Sequence, residues 1–333
     1  MAEGVRRLSL GVLLIVGVSA GLLLFDRGDR RSGSAAHAKR VSLLAFISAA
    51  DSDECQHGMR DGLAAELREG IDYELTVRNA QGDMPTLSSL VDAALGDGSD
   101  LILTLSTPTL QAAVQRVKSI PIVFSFSSNP IGAGAGTTYE QHLPNVTGVP
   151  TTSAYEQTLH LIREILPRAR RLGTLVVPSE VNSVYNVEVV RRLAEQHGFE
   201  LVSVAVNSSS EVSDAALALL AQPIDAVCQV ASNVTITGFA SLALPAQRAH
   251  MPVFGFLSSD AYNGAIAVVA RDYYESGKEA GLLAARILRG ADPATIPFRE
   301  VGTAELLVNL KAARATGITL PADVISRAAR VVE

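Results

Sequence analysis

The sequence predicts an α/β chain of two lobes, each built on a parallel sheet with helices on both faces. Three observations predict it. At 333 residues the chain is too long for one small core. Short apolar runs of strand length alternate with stretches of helical spacing. That alternation runs twice, on either side of a join at Asn145 to Thr151, NVTGVPT, where Gly and Pro punctuate the chain.

In the first round Val41 to Ile47 reads as a strand. His57 to Arg68 follows as a helix carrying Met59, Leu63 and Leu67 on one face, stopped at Glu69-Gly70. Tyr73 to Val77 is a strand, Thr86 to Leu95 a helix and Leu101 to Leu105 a third strand. Thr107 to Lys118 is a helix, with Thr107 as its N-cap and Pro108 in its first turn. Ile122 to Phe126 is the fourth strand. The second round reads Tyr155 to Leu166 as a helix ended by Pro167, Leu172 to Val177 as a strand and Val184 to Gln196 as a helix. Strand Leu201 to Val206, helix Ser213 to Leu220 and strands Ala226 to Val230 and Val253 to Phe256 complete it. Strand and helix alternating at this spacing build a parallel sheet, and two such lobes leave a cleft between them.

The N-terminus differs. Arg6 and Arg7 precede an uncharged apolar stretch from Leu8 to Phe25, whose length at about 1.5 Å per residue approaches a hydrocarbon core of ~30 Å. A positive end before an apolar segment marks export, as a cleaved signal or a retained anchor in residues 1–25. Val18-Ser19-Ala20 and Ala36-His37-Ala38 are the small-residue cleavage candidates. Residues 26–40, charged and small, read as a linker.

Composition excludes several classes. The formal net charge of −6, with no basic stripe, argues against nucleic acid. Two cysteines read as a loop thiol, Cys55, and a buried strand thiol, Cys228. The six histidines show no metal-ligand spacing. GAGAG at Gly132 to Gly136 fails both the dinucleotide and the phosphate-loop patterns and reads as a loop. No nucleophile elbow and no paired carboxylates stand at strand ends, so neither an enzyme nor a cofactor is expected.

What stands there instead is polar and small. Ligands of open α/β sheets lie outside the carboxyl ends of the strands. Leu105 runs into Ser106 and Thr107 at a helix N-terminus, which suits an anion, although Thr107 acting as a cap alone explains it equally well. Phe126 runs into Ser127, Ser128 and Asn129. In the second lobe the strands run into Asn182, into Ser232 and Asn233, and into Asp260, the one acid of the set. Each is an ordinary turn by itself. Five together suggest a cleft that binds by hydrogen bonds.

Several runs then resemble one family. They are Asn79-Ala80-Gln81-Gly82-Asp83, the Thr107-Pro108 turn, PIVFSFSSNPIGAG from Pro121, Asn145 to Val149 and VVPSEVNS from Val176. The most specific are DYYESGKEAG, ILRG and NLKAARATGITLP between Asp272 and Pro321. In this order they resemble the ABC-transporter substrate-binding proteins of the tryptophan/tyrosine type over Val41 to Pro321. The resemblance implies a type I periplasmic-binding fold, two lobes joined by three crossings near residues 145–150, 257–262 and 299–303. It also implies a first lobe of 41–147 plus 258–300 and a second of 148–257 plus 301–333. The function implied is an extracytoplasmic protein that presents a small polar ligand to an ABC permease. A membrane-anchored sensor is the other reading. The chain departs from the family where Asn129 and Ser232 stand in place of the usual Asp, so neutral groups replace both carboxylates that would meet an ammonium.

Overall fold

The computed structural model describes residues 38–333. The apolar stretch from Leu8 to Phe25 and most of the expected linker lie outside the described residues. Among those described, no helix is long and apolar enough to cross a membrane.

The first sheet is all parallel, in the order β2-β1-β3-β4-β5. Its strands are β1 (Lys39–Ala45), β2 (Tyr73–Asn79), β3 (Leu101–Leu105), β4 (Ile122–Ser127) and β5 (Val146–Pro150). The expected linker thus gives its last two residues to β1. The NVTGVPT join is no loose junction, since most of it forms the edge strand β5. Three helices intervene: α1 (Ala50–Ala64), α2 (Met84–Gly96) and α3 (Thr107–Arg116).

Helix α1 starts seven residues before the expected His57. The backbone N–H of Ala49 donates to Ser52 Oγ at 3.0 Å, and Asp51 and Asp53 place negative charge at the positive end of the helix. Cys55 is therefore a buried helix residue rather than a loop thiol. Burial pushes both Cys55 and Cys228 up to about 12, so both are inert thiols.

The second sheet has seven strands in the order β12-β11-β10-β9-β8-β6-β7. From one edge these are β7 (Glu200–Ala205), β6 (Arg171–Val176), β8 (Ala226–Cys228) and β9 (Val253–Gly255). Then come β10 (Ala267–Arg271), β11 (Ala304–Asn309) and β12 (Arg330–Val332). All pairings are parallel except β10 with β11. Its helices are α4 (Tyr155–Ile165), α5 (Val181–Gln196), α6 (Val212–Leu220), α7 (Asn233–Arg248) and the short α8 (Ser258–Tyr262). Helix α9 (Tyr273–Leu288) crosses back to pack along α1, and α10 (Leu310–Ala315) and α11 (Ala322–Arg327) close the chain.

One expected boundary is corrected. Residues 258–300 do not all belong with the first lobe. Helix α8 and β10 belong to the second sheet, and only from α9 onward does the chain rejoin the first. The second crossing therefore lies at Arg271 to Tyr273, not at 257–262. The cause is pairing: β10 finds a parallel partner in β9 through Ala267 and Phe254, which no sequence period announces.

Candidate functional site

The polar strand ends converge on one small cavity between the lobes. Four helices begin at its wall. They are α3 from the first sheet, α5 and α7 from the second, and α9 from the crossing. Each brings the positive end of its dipole to the cavity wall, with the first N–H groups of α7 taken by Glu180 and Ser232 and that of Glu275 in α9 by Asp272.

Helix α3 contributes Ser106 and Thr107. Thr107 is not the N-cap; that position is Ser106, and no side chain caps the helix. The Thr107 hydroxyl turns to Ser127 Oγ at 2.9 Å, and Ser106 Oγ pairs with Thr109 Oγ1 at 2.9 Å. The first N–H groups of α3 are left to whatever occupies the cavity. Ser106 itself is held at φ 94° and ψ 156°, a region almost reserved for glycine and costing about 1–3 kcal/mol. Phe126 at the end of β4 is also left-handed, at φ 55°. The β4–β5 register shifts between Phe124 and Ser127, and this irregularity helps to direct Phe126 and Ser128 into the cavity wall.

The second lobe contributes Asn182, Ser232 and Asn233. Ser232 caps α7, its Oγ accepting from Thr235 N–H at 3.1 Å. Phe256 and Leu257 follow β9. Tyr273 opens α9 and packs edge-on against Phe126, with centroids 5.0 Å apart. Burial pushes the Tyr273 phenol well above its ordinary range, so it is a neutral donor.

Five of the eight expected site residues therefore meet at this cavity: Ser106, Thr107, Asn182, Ser232 and Asn233. Three do not line it. Ser127 stands one step behind, bonded to Thr107. Asn129 closes a turn, its Oδ1 accepting from Gly132 N–H at 2.8 Å. A Cβ on Gly132 would lie 2.2 Å from Asn129 Nδ2 and 2.8 Å from Val181 Cγ1 of the facing lobe, so this glycine is required by close approach. Asp260 Oδ2 accepts from the N–H groups of Phe256 and Leu257, each at 3.1 Å, and braces the wall from outside. Three further tyrosines stand away from the cavity lining. Tyr155 is buried with its hydroxyl accepting from Ala231 N–H, while Tyr185 and Tyr262 are exposed.

The sequence reading missed Tyr273 and, above all, Glu180. This carboxylate, 8% exposed, lies across the start of α7. It accepts from Asn233 N–H at 2.8 Å, Asn233 Nδ2 at 2.9 Å, Val234 N–H at 3.1 Å and Asn182 Nδ2 at 3.2 Å. The signal for it was its place in VVPSEVNS, two residues before Asn182. A separate surface group joins Glu156 and His160, one turn apart on α4, to His197 at the end of α5, with ligand atoms within 4.8 Å of one another. Two different helices supply it, so linear spacing did not show it. Glu156 Oε1 already pairs with His197 Nε2 at 2.8 Å.

The cavity is tight, roughly 30 Å³ for the centre of a water-sized molecule, about enough for a water or two. Two parallel-sheet lobes closed on a polar cavity define a protein of the periplasmic-binding class. The family model of ABC transporter substrate binding proteins matches residues 40–332, and the chain belongs to that family of binding proteins. It is 27% identical over 301 residues to a tyrosine-binding protein of Clostridioides difficile, covering 90% of this chain and 87% of that one. An ABC domain in complex with L-Trp from Streptococcus pneumonia superposes with a TM-score of 0.85 at 27% identity, covering 89% of this chain and 100% of that one. A ligand-free, open substrate-binding protein with adhesive properties from Clostridium difficile gives 0.69 at the same identity, covering 89% of this chain and 99% of that one. At equal identity and near-equal coverage, the lobes of this chain stand nearer the arrangement of the L-Trp complex.

Proposed function

We propose that this chain is the extracytoplasmic solute-binding component of an ABC importer and that it captures an α-amino acid, aromatic in kind, between its lobes. The observation that carries the reading is the cavity itself. Helix N-termini and hydroxyls offer donors for a carboxylate, while Phe126, Phe256 and Tyr273 offer apolar and aromatic wall. The L-Trp complex and the tyrosine-binding relative support the ligand class. The tight cavity means that the lobes part to admit such a compound and close over it, and the closed form is what a membrane permease receives. Residues 8–25 serve as the export signal or as a tether to the membrane.

Thermal unfolding of the purified protein against L-tryptophan, L-tyrosine, sugars and small carboxylates tests this. A true ligand at a hundred times its dissociation constant adds about 2.7 kcal/mol. The unfolding midpoint then rises by several degrees, at roughly 2–4 °C per kcal/mol. A rise with the aromatic amino acids is expected; no rise with either overturns the ligand assignment.

A further inference from the structure

Asn182 and Asn186 stand one turn apart on α5, so their side chains leave the same face of the helix. They are 6% and 0% exposed. Each spends its NH₂ group on a neighbour. Asn182 Nδ2 donates to Glu180 Oε2 at 3.2 Å. Asn186 Nδ2 donates to the Ala231 carbonyl at 2.9 Å and to Ser128 Oγ, across the cleft, at 3.2 Å. Each leaves its Oδ1 buried with no donor among the described residues. A buried acceptor without a donor is costly, and two on one helix face call for an explanation.

Neither amide is free to turn round. A carboxylate and a carbonyl can only accept, so Glu180 and Ala231 each hold an NH₂ group toward themselves and leave the oxygen facing away. Asn182 lines the cavity, and so do Ser128 and Ala231, the partners of Asn186. Of the two lone acceptors, that of Asn182 stands at the second-lobe side of the cavity, while Asn186 lies behind the cavity-lining Ser128 and Ala231. The donors of that lobe are occupied as well: Glu180 takes the first N–H groups of α7 and the Asn233 amide, which leaves no place there for a ligand carboxylate. On the first-lobe side the balance is reversed, since the start of α3 is uncapped and supplies donors.

Resting on the amino-acid reading above, we propose that the amide oxygen of Asn182 receives the ligand's ammonium group. Glu180 is the positioning residue that fixes Asn182 in its accepting orientation and turns the ligand's carboxylate toward Ser106 and Thr107. An ammonium has only donors, so it satisfies the stranded Asn182 oxygen, and a neutral amide does for it what a contacting carboxylate would otherwise do.

Calorimetric titration of the full chain tests this. The probes are the better bound of L-tryptophan and L-tyrosine and its deaminated analogue, indole-3-propionate or 3-(4-hydroxyphenyl)propionate. The native protein is expected to prefer the amino acid by about tenfold or more. Asn182→Ala should bring that ratio toward one by weakening the amino acid alone. Glu180→Gln frees the Asn182 amide to present its NH₂ group, so the ratio should fall and the analogue gain in relative terms. Should Glu180→Gln fail to fold, as judged by its unfolding curve, Asn182→Ala decides alone. Equal affinity of the native protein for both probes overturns the inference and leaves a ligand-binding cleft standing. Equal weakening of both probes by Asn182→Ala makes that residue merely structural and also overturns it. Binding of neither probe brings down the amino-acid reading and the inference together.

Discussion

Asp260 shows how one side chain can make the whole fold sensitive to pH. It is 1% exposed, and burial, offset in part by the Leu257 and Phe256 N–H groups and reinforced by the charge of nearby Asp51, pushes it up to about 8. Asp51 reaches over from α1 toward Ser258 and Ser259 of the second lobe and is raised in the same direction, again by burial. The sign follows from linkage. Between the ordinary value of 3.8 and about 8 the folded protein holds a proton that the unfolded chain has released. Stability is thus fully present below pH 3.8 and is lost as pH rises through about 8, by an amount on the order of a few kcal/mol. Asp260→Asn keeps an acceptor for both N–H groups and removes the charge, so denaturant unfolding across this range should show a flatter slope than the native protein. Identical slopes would exclude Asp260 as the titrating group.

At the scale of elements, the contact between α1 and α9 decides where the returning chain docks. Both helices carry glycines four residues apart, Gly58 and Gly62 on one, Gly277 and Gly281 on the other. A Cβ at Gly58 would meet the Tyr274 carbonyl oxygen at 2.0 Å, and one at Gly277 would meet that of Cys55 at 1.9 Å. The backbones therefore touch with no side chain between them. Gly277→Ala gains up to ~1 kcal/mol of helix propensity. It loses about 1–3 kcal/mol or more to overpacking, because the obstacle is backbone and cannot swing away. Its midpoint should fall by several degrees. Gly96, at the end of α2, has nothing within 4 Å of an added Cβ. Gly96→Ala should be neutral or stabilising by up to ~1 kcal/mol. Differential scanning calorimetry of the two variants checks the contrast, and equal effects would refute the close approach.

At the scale of the whole molecule the chain passes between the two sheets at three crossings, and Arg271 ties them. It stands on the second crossing, donates from Nε to the Thr152 carbonyl of the first at 2.9 Å, and donates from Nη1 to the Gly302 carbonyl of the third at 2.8 Å. Glu300 adds a tie, accepting from Thr152 Oγ1 at 2.7 Å and from Tyr139 Oη at 3.0 Å. Hydrogen bonds from a charged group are worth about 1.5–3 kcal/mol each, so losing both frees the third crossing locally. Arg271→Met keeps the stem and removes the donors. Tryptic cleavage after Arg299 should then run about tenfold faster or more, since cleavage follows the opening equilibrium of the segment. An unchanged rate would mean that the crossings hold without Arg271.

The sequence by itself determined the lobed α/β plan, because the periods that build strands and helices are local and repeat along the chain. It also determined the polar character of the strand ends: five of the eight residues named from Ser106 to Asp260 line one cavity. Only the tertiary structure decided the rest. Whether α8 and β10 joined the first or the second sheet depended on strand pairing between residues such as Ala267 and Phe254. Whether Asn129 or Asn182 faced the cavity depended on which amide found a turn to close, as Asn129 found Gly132. Glu180 becomes part of the site only because α7 brings its N–H groups onto it. Hydrogen-bond partners far apart in the chain set the direction in which each amide points, and no local period records them.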